Sequence, residues 1–89
     1  MTERSIEIKN KLGLHARAAA KLVHTAARFK SEIKIRKGDE EVDGKSILGI
    51  LLLAAGRGST ILVRADGEDE REALDAIEKL IEAKFDETE

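Results

Sequence analysis

The sequence predicts an α+β chain, one β-sheet with all of its helices on one face, in the order β-α-β-β-α-β-α. Three observations predict it. Short segments alternate apolar with polar residues, the period of a half-buried strand. Two longer segments repeat apolar residues at helical spacing, and a third, shorter run is almost wholly apolar. No proline, linker or low-complexity tract separates these segments, so residues 1–89 read as a single domain.

Each element follows from local pattern. Ser5 to Lys9 sets Ile6 and Ile8 against Ser5, Glu7 and Lys9, a strand with one buried face. Asn10-Lys-Leu-Gly-Leu-His15 breaks the alternation, and Gly13 permits a turn. Ala16 to Phe29 is alanine-rich, with Ala19, Leu22, Val23, Ala26 and Ala27 at helical spacing. Arg17, Lys21, His24 and Arg28 fall mostly on the opposite face. Glu32 to Arg36 alternates again through Ile33 and Ile35, Gly38-Asp39 signals a turn, and Glu40 to Val42 returns as a short strand.

Ser46 stands where it caps the run Ile47 to Ala55, read as a short buried helix because leucine outweighs β-branched residues. Gly56 and Gly58 stop that run. Thr60 to Ala65 sets Ile61, Val63 and Ala65 against Thr60, Leu62 and Arg64, the fourth strand. Asp69 and Glu72 have capping-box spacing, and Ala73, Leu74, Ile77, Leu80, Ile81 and Phe85 form the apolar stripe of a last helix. Strands apolar on one side only fit a sheet whose other face meets water.

Composition removes several functions. With no cysteine, disulfide scaffolds, thiolate zinc sites and cysteine nucleophiles are excluded. Phe29 and Phe85 are the only aromatic residues, so a base-stacking nucleic-acid platform has almost nothing to stack with. Net charge −2 and pI near 5.7 also oppose binding to polyanions. Residues 1–67 carry 13 basic and 8 acidic side chains, and residues 68–89 carry 3 and 10. That split reads either as a solvated acidic last helix or as a mildly positive face for a phosphate or an acidic partner. The amino terminus lacks a signal-peptide apolar stretch, and Ile47 to Ala55 is far short of the ~20 residues of a membrane span. The expectation is a soluble, cytoplasmic protein.

Among residues that carry chemistry, His15 comes first. It follows a glycine-bearing loop and directly precedes a strong helix, where the free N–H groups of Ala16, Arg17 and Ala18 make an anion site. Arg17 adds a guanidinium able to reach the same anion. The helix field disfavours imidazolium, leaving a neutral ring nitrogen as a nucleophile for phosphoryl. The plainer alternative is a histidine that caps the helix or lies on the surface. His24, nine residues on, sits about 13 Å along the helix and reads as a surface residue with no metal role. Ser46 reads either as a plain cap or as a phosphorylation site favoured by the helix field. Ile47, Leu48 and Leu51 share one helical side and Ile50, Leu53 and Ala54 another, so one side fills the core and the other suits docking.

Gly13-Leu-His-Ala-Arg-Ala-Ala-Ala-Lys-Leu-Val23 closely resembles the active-site segment of HPr, the histidine phosphocarrier family of the bacterial phosphoenolpyruvate-dependent phosphotransferase system. Val42-Asp-Gly-Lys-Ser-Ile-Leu-Gly-Ile-Leu51 resembles the regulatory-serine segment of the same family, and the likeness covers essentially the whole chain. The resemblance implies an open-faced β-sandwich, a four-stranded antiparallel sheet with three helices on one face. It implies that His15 takes phosphoryl through Nδ1 from phosphorylated enzyme I and passes it to EIIA-type acceptor domains, with Arg17 steadying the group. Ser46 is then the target of an HPr kinase/phosphorylase where the host has one, and Ile47, Leu48 and Leu51 meet partners.

The expected protein is thus a monomeric carrier rather than an enzyme. It needs no cofactor and no metal, binds no nucleic acid and inserts into no membrane. Ala18 departs from the family, in which proline commonly follows the arginine; alanine gives up rigidity but restores an N–H. That departure bears on partner choice, sugar-transport or nitrogen-type. The competing class is a non-catalytic small-molecule-binding or regulatory α+β module, which leaves the placement of His15 and Arg17 unexplained.

Overall fold

The computed structural model describes residues 1–87. Its elements run β1 (Thr2–Glu7), α1 (Ala16–Ala27), β2 (Glu32–Lys37), β3 (Glu40–Asp43), α2 (Ile47–Leu52), β4 (Thr60–Asp66) and α3 (Glu70–Glu82). A 3-10 turn over Lys84–Asp86 follows α3. The sheet order is β1-β4-β2-β3, with every neighbouring pair antiparallel. The sequence-predicted β-α-β-β-α-β-α order and the four-stranded antiparallel sheet with three helices are what the chain forms.

Register explains which face is buried. Ile6 lies opposite Ile61, Ile33 opposite Ala65 and Ile35 opposite Val63, all pointing under the helices. Ala18, Ala19, Leu22 and Ala26 of α1, Ile50 of α2, and Ala73, Leu74, Ile77 and Ile81 of α3 complete this core. The small side chains on α1 let that helix sit close to α2 and α3, fixing where its first turn emerges. On the far face of the sheet Arg64 reaches Glu41 at 2.8 Å and Glu3 at 3.9 Å.

Several boundaries differ from the sequence-based reading. β1 begins at Thr2, because β4 is long enough to pair with the whole amino-terminal segment. Ile8 is buried but bonds to the loop before β4, its N–H donating to Ser59 O at 2.8 Å. α1 ends at Ala27, and α2 ends at Leu52 because Ala54 takes a left-handed φ of 50°. Ala54 is therefore exposed rather than core-facing, while Ile50 and Leu53 are buried as expected.

The capping box at Asp69 does not form. Its carboxylate instead accepts from Lys30 N, Ser31 N and Ser31 Oγ, tying α3 to the chain entering β2. Glu70 takes the local role, accepting from Gly67 N at 3.1 Å. Phe85 does not extend the stripe of α3 either. The helix stops at Glu82, and left-handed backbone at Lys84, Phe85 and Asp86 turns the wholly buried ring back into the core.

Candidate functional site

The loop between β1 and α1 is held by its backbone. Gly13 has φ 66°, and Leu14 N donates to Ala55 O at 2.9 Å while its side chain is buried. A turn so anchored delivers His15 in extended conformation to the N-cap position of α1, where its carbonyl accepts from Ala19 N at 2.8 Å. The imidazole makes no capping bond, which removes the plain capping alternative. It remains partly open to solvent, with 28% of the side chain exposed.

The first amides of a helix have no intrahelical partner. Ala16 and Arg17 are exposed beside His15, so their N–H groups and the Arg17 guanidinium lie within the anion-favouring end of α1. No acidic residue occupies the first turn to offset that field. Ala18 differs from expectation: it is wholly buried, and an amide that water cannot reach does not face an incoming phosphate oxygen.

A carboxylate missed by the sequence reading completes the surroundings of His15. Glu87 Oε2 lies 2.5 Å from His15 Nε2, and Glu87 Oε1 accepts from Asn10 Nδ2 at 3.0 Å. The buried Asn10 amide uses its other donor on Gly13 O at 2.8 Å. Burial pushes the Glu87 carboxyl up, and the bonds from His15 and Asn10, with the charges of His15 and Lys21, outweigh it and hold it below the usual carboxylate range. Among the described residues His15 Nδ1 has no hydrogen-bond partner. No local pattern could have found Glu87, which lies 72 residues from His15 and arrives through the turn at Phe85.

Ser46 heads α2, which packs against α1. Its Oγ accepts from Gly49 N at 3.0 Å, the cap expected from the sequence, and the side chain is half-buried. Beyond it Ile47, Leu48 and Leu51 are exposed at 44%, 69% and 37%, and Leu52 adds to the same apolar patch at 65%. Leu12, in the loop before His15, is a further exposed leucine. His24 is exposed on α1. No cluster of three or more His, Asp or Glu able to hold a metal ion occurs among the described residues. No helix of the described residues is long and apolar enough to cross a membrane.

Comparison with known proteins places this arrangement. A family model described as the PTS HPr component phosphorylation site matches residues 2–83. A phosphocarrier protein HPr of Neisseria meningitidis is 52% identical over 89 residues, all of both chains. A phosphocarrier protein NPr of Shewanella violacea is 51% identical, covering 96% of this chain and 93% of its own. The crystal structure of HPr from Thermoanaerobacter tengcongensis superposes with a TM-score of 0.96 at 48% identity, over the full length of both chains.

A partly exposed histidine at a helix start on this fold, in a chain so similar to these relatives, defines a phosphocarrier protein, a carrier rather than a catalyst. Such a domain needs an accessible acceptor atom and a place for charge, not a deep cleft. The chain belongs to the HPr family of the phosphotransferase system.

Proposed function

We propose that this chain accepts a phosphoryl group on His15 Nδ1 from phosphorylated enzyme I and passes it to EIIA-type acceptor domains. The observation that carries this reading is the placement of His15: at the N-cap of α1, partly exposed, with Nε2 engaged and Nδ1 without a protein partner among the described residues. In the transfer the Nδ1 lone pair forms a bond to phosphorus as the bond from phosphorus to the donor breaks. Alignment and charge stabilisation do most of the work in such a reaction. The N–H groups of Ala16 and Arg17 and the Arg17 guanidinium supply that charge, a hold weak enough to release the group to the next acceptor.

Ser46 is the proposed regulatory site, phosphorylated by an HPr kinase/phosphorylase where one is present, and Ile47, Leu48 and Leu51 are the proposed docking residues. The half-buried cap at Ser46 and the exposed leucines after it support both roles. The carrier is proposed to act in the cytoplasm as a monomer, its partners binding the His15 face in turn.

Incubation with phosphoenolpyruvate and enzyme I tests the central step. Wild type acquires acid-labile, alkali-stable phosphate and His15→Ala acquires none. A wild-type chain left unlabelled by an enzyme I that labels another HPr refutes the reading. Acid-stable phosphate from ATP and the kinase is expected on wild type and absent from Ser46→Ala.

A further inference from the structure

The Glu87 carboxylate is held beside His15 by more than one contact. The Phe85 ring is wholly buried, and left-handed backbone from Lys84 to Asp86 reverses the chain after it. Lys21 Nζ donates to Phe85 O at 2.6 Å, fastening that turn to α1. Asn10, itself fixed by Gly13 O, donates to Glu87 Oε1. The Glu87 side chain is only 9% exposed as it meets Nε2, unlike a solvated surface ion pair of little value.

We propose that Glu87 is a positioning residue for the carrier histidine, keeping a proton on His15 Nε2 before and after Nδ1 receives the phosphoryl group. This role rests on His15 being the phosphoryl acceptor. In the neutral free ring a carboxylate at Nε2 requires N–H there, so the lone pair stands on Nδ1. When the Nδ1–P bond forms, the Nε2 proton stays and the ring carries the positive charge, opposed by the carboxylate. When that bond breaks toward an acceptor, the electron pair returns to Nδ1 and neutral imidazole is left, with no proton gained or lost. The carboxylate thus keeps the phosphorylated ring in its readily departing, protonated form.

Among the described residues His15 and Lys21 are charged groups that act on Glu87, and Asn10 contributes a neutral bond. Arg17 forms no hydrogen bond or ion pair with either partner among the described residues. Glu87 lies outside residues 2–83, the part of the chain matched by the family model.

Two variants separate tautomer from charge. Glu87→Ala removes both, and Glu87→Gln keeps an acceptor oxygen without the charge. In Glu87→Ala the imidazole nitrogen-15 shifts move from those of the Nε2–H form toward a mixture, while Glu87→Gln stays near wild type. In both variants the pH profile for hydrolysis of the phosphorylated protein shifts to lower pH, with hydrolysis about threefold slower at pH 7. Circular dichroism and unfolding midpoints close to wild type show that these changes are not those of a loosened fold. A labelled wild type whose variants keep its nitrogen shifts and hydrolysis profile overturns this proposal alone. A wild type that takes no phosphate overturns the carrier reading and this proposal with it.

Discussion

The Leu14 N–H donates to the carbonyl oxygen of Ala55 across 2.9 Å, joining the loop before His15 to the segment that follows α2. The join is close because Gly13 lacks a side chain. A Cβ there would stand 2.5 Å from Ala55 O and 2.8 Å from Gly56 Cα, at a φ of 66° that L-residues rarely adopt. Gly13→Ala is expected to cost about 2 kcal/mol or more, seen as a lower urea midpoint. Because His15 hangs from this turn, phosphate uptake from enzyme I should slow as well. A variant as stable and as quickly labelled as wild type would show that the contact does not set the site.

The acidic amino terminus of α3 makes stability depend on pH in a stated direction. The Thr2 hydroxyl, the Gly67 N–H and the chain's amino group together hold the Glu70 carboxyl at about 2, from an ordinary 4.5. Asp69 is lowered by the Ser31 hydroxyl and by the N–H groups of Lys30 and Ser31. A folded-state value below the unfolded one adds stability that is complete above the unfolded value and disappears as pH falls through the folded one. Melting temperature should therefore drop between pH 4.5 and about 2, and Glu70→Gln should drop less over that window. Parallel declines in the two proteins would remove Glu70 from the account.

Phe85 shows what periodicity could and could not foretell. Its place on the apolar stripe of the last helix correctly marked it for burial, since each fourth or third residue after Ala73 points to the sheet. The route it takes was not legible, because three consecutive left-handed residues without glycine follow from tertiary packing rather than from local preference. Glu87 was hidden for the same reason: its position depends on that turn. By contrast the positions of His15 and Ser46 at helix starts were legible because a loop and a helix start are written in neighbouring residues. Asp69 marked the start of α3 but misled about its partner, since Ser31 and Lys30 outcompete the helix for its oxygens.

Phe85→Ala is expected to lower stability by about 3–5 kcal/mol, the range for an aromatic ring removed from a core. It should also free the carboxy-terminal turn, so the His15 ring resonances of this variant should lose the signature of the Glu87 contact under conditions where the chain is still folded. Urea unfolding and nitrogen-15 spectra measure the two effects separately. A loss below about 1 kcal/mol would mean that the turn repacks and that the ring is not its anchor.

Ser46→Ala removes the oxygen that accepts from Gly49 N, leaving that N–H without its cap. The expected cost is about 1 kcal/mol. A phosphate on Ser46 keeps the bridging oxygen in place at the same helix end, so phosphorylated wild type should be at least as stable as Ser46→Ala. Thermal melts of the three forms decide this, and a phosphorylated form less stable than the alanine variant would show that the cap is lost on modification.

Leu48 is 69% exposed on a helix only six residues long, with Ile47, Leu51 and Leu52 exposed around it. An exposed leucine contributes little to folding, so Leu48→Ser should change stability by no more than about 0.5 kcal/mol. A cluster of exposed apolar side chains such as this one suits a surface that something apolar covers part of the time. Since His15 and its amides are untouched, the substitution should raise the KM of enzyme I for this carrier several-fold while leaving kcat nearly unchanged, the pattern of lost uniform binding. A fall in kcat at constant KM would place Leu48 in the alignment of the phosphoryl group instead. Unchanged kinetics with both donor and acceptor would remove the patch from partner recognition, leaving the charged surroundings of Arg17 to bring the two proteins together.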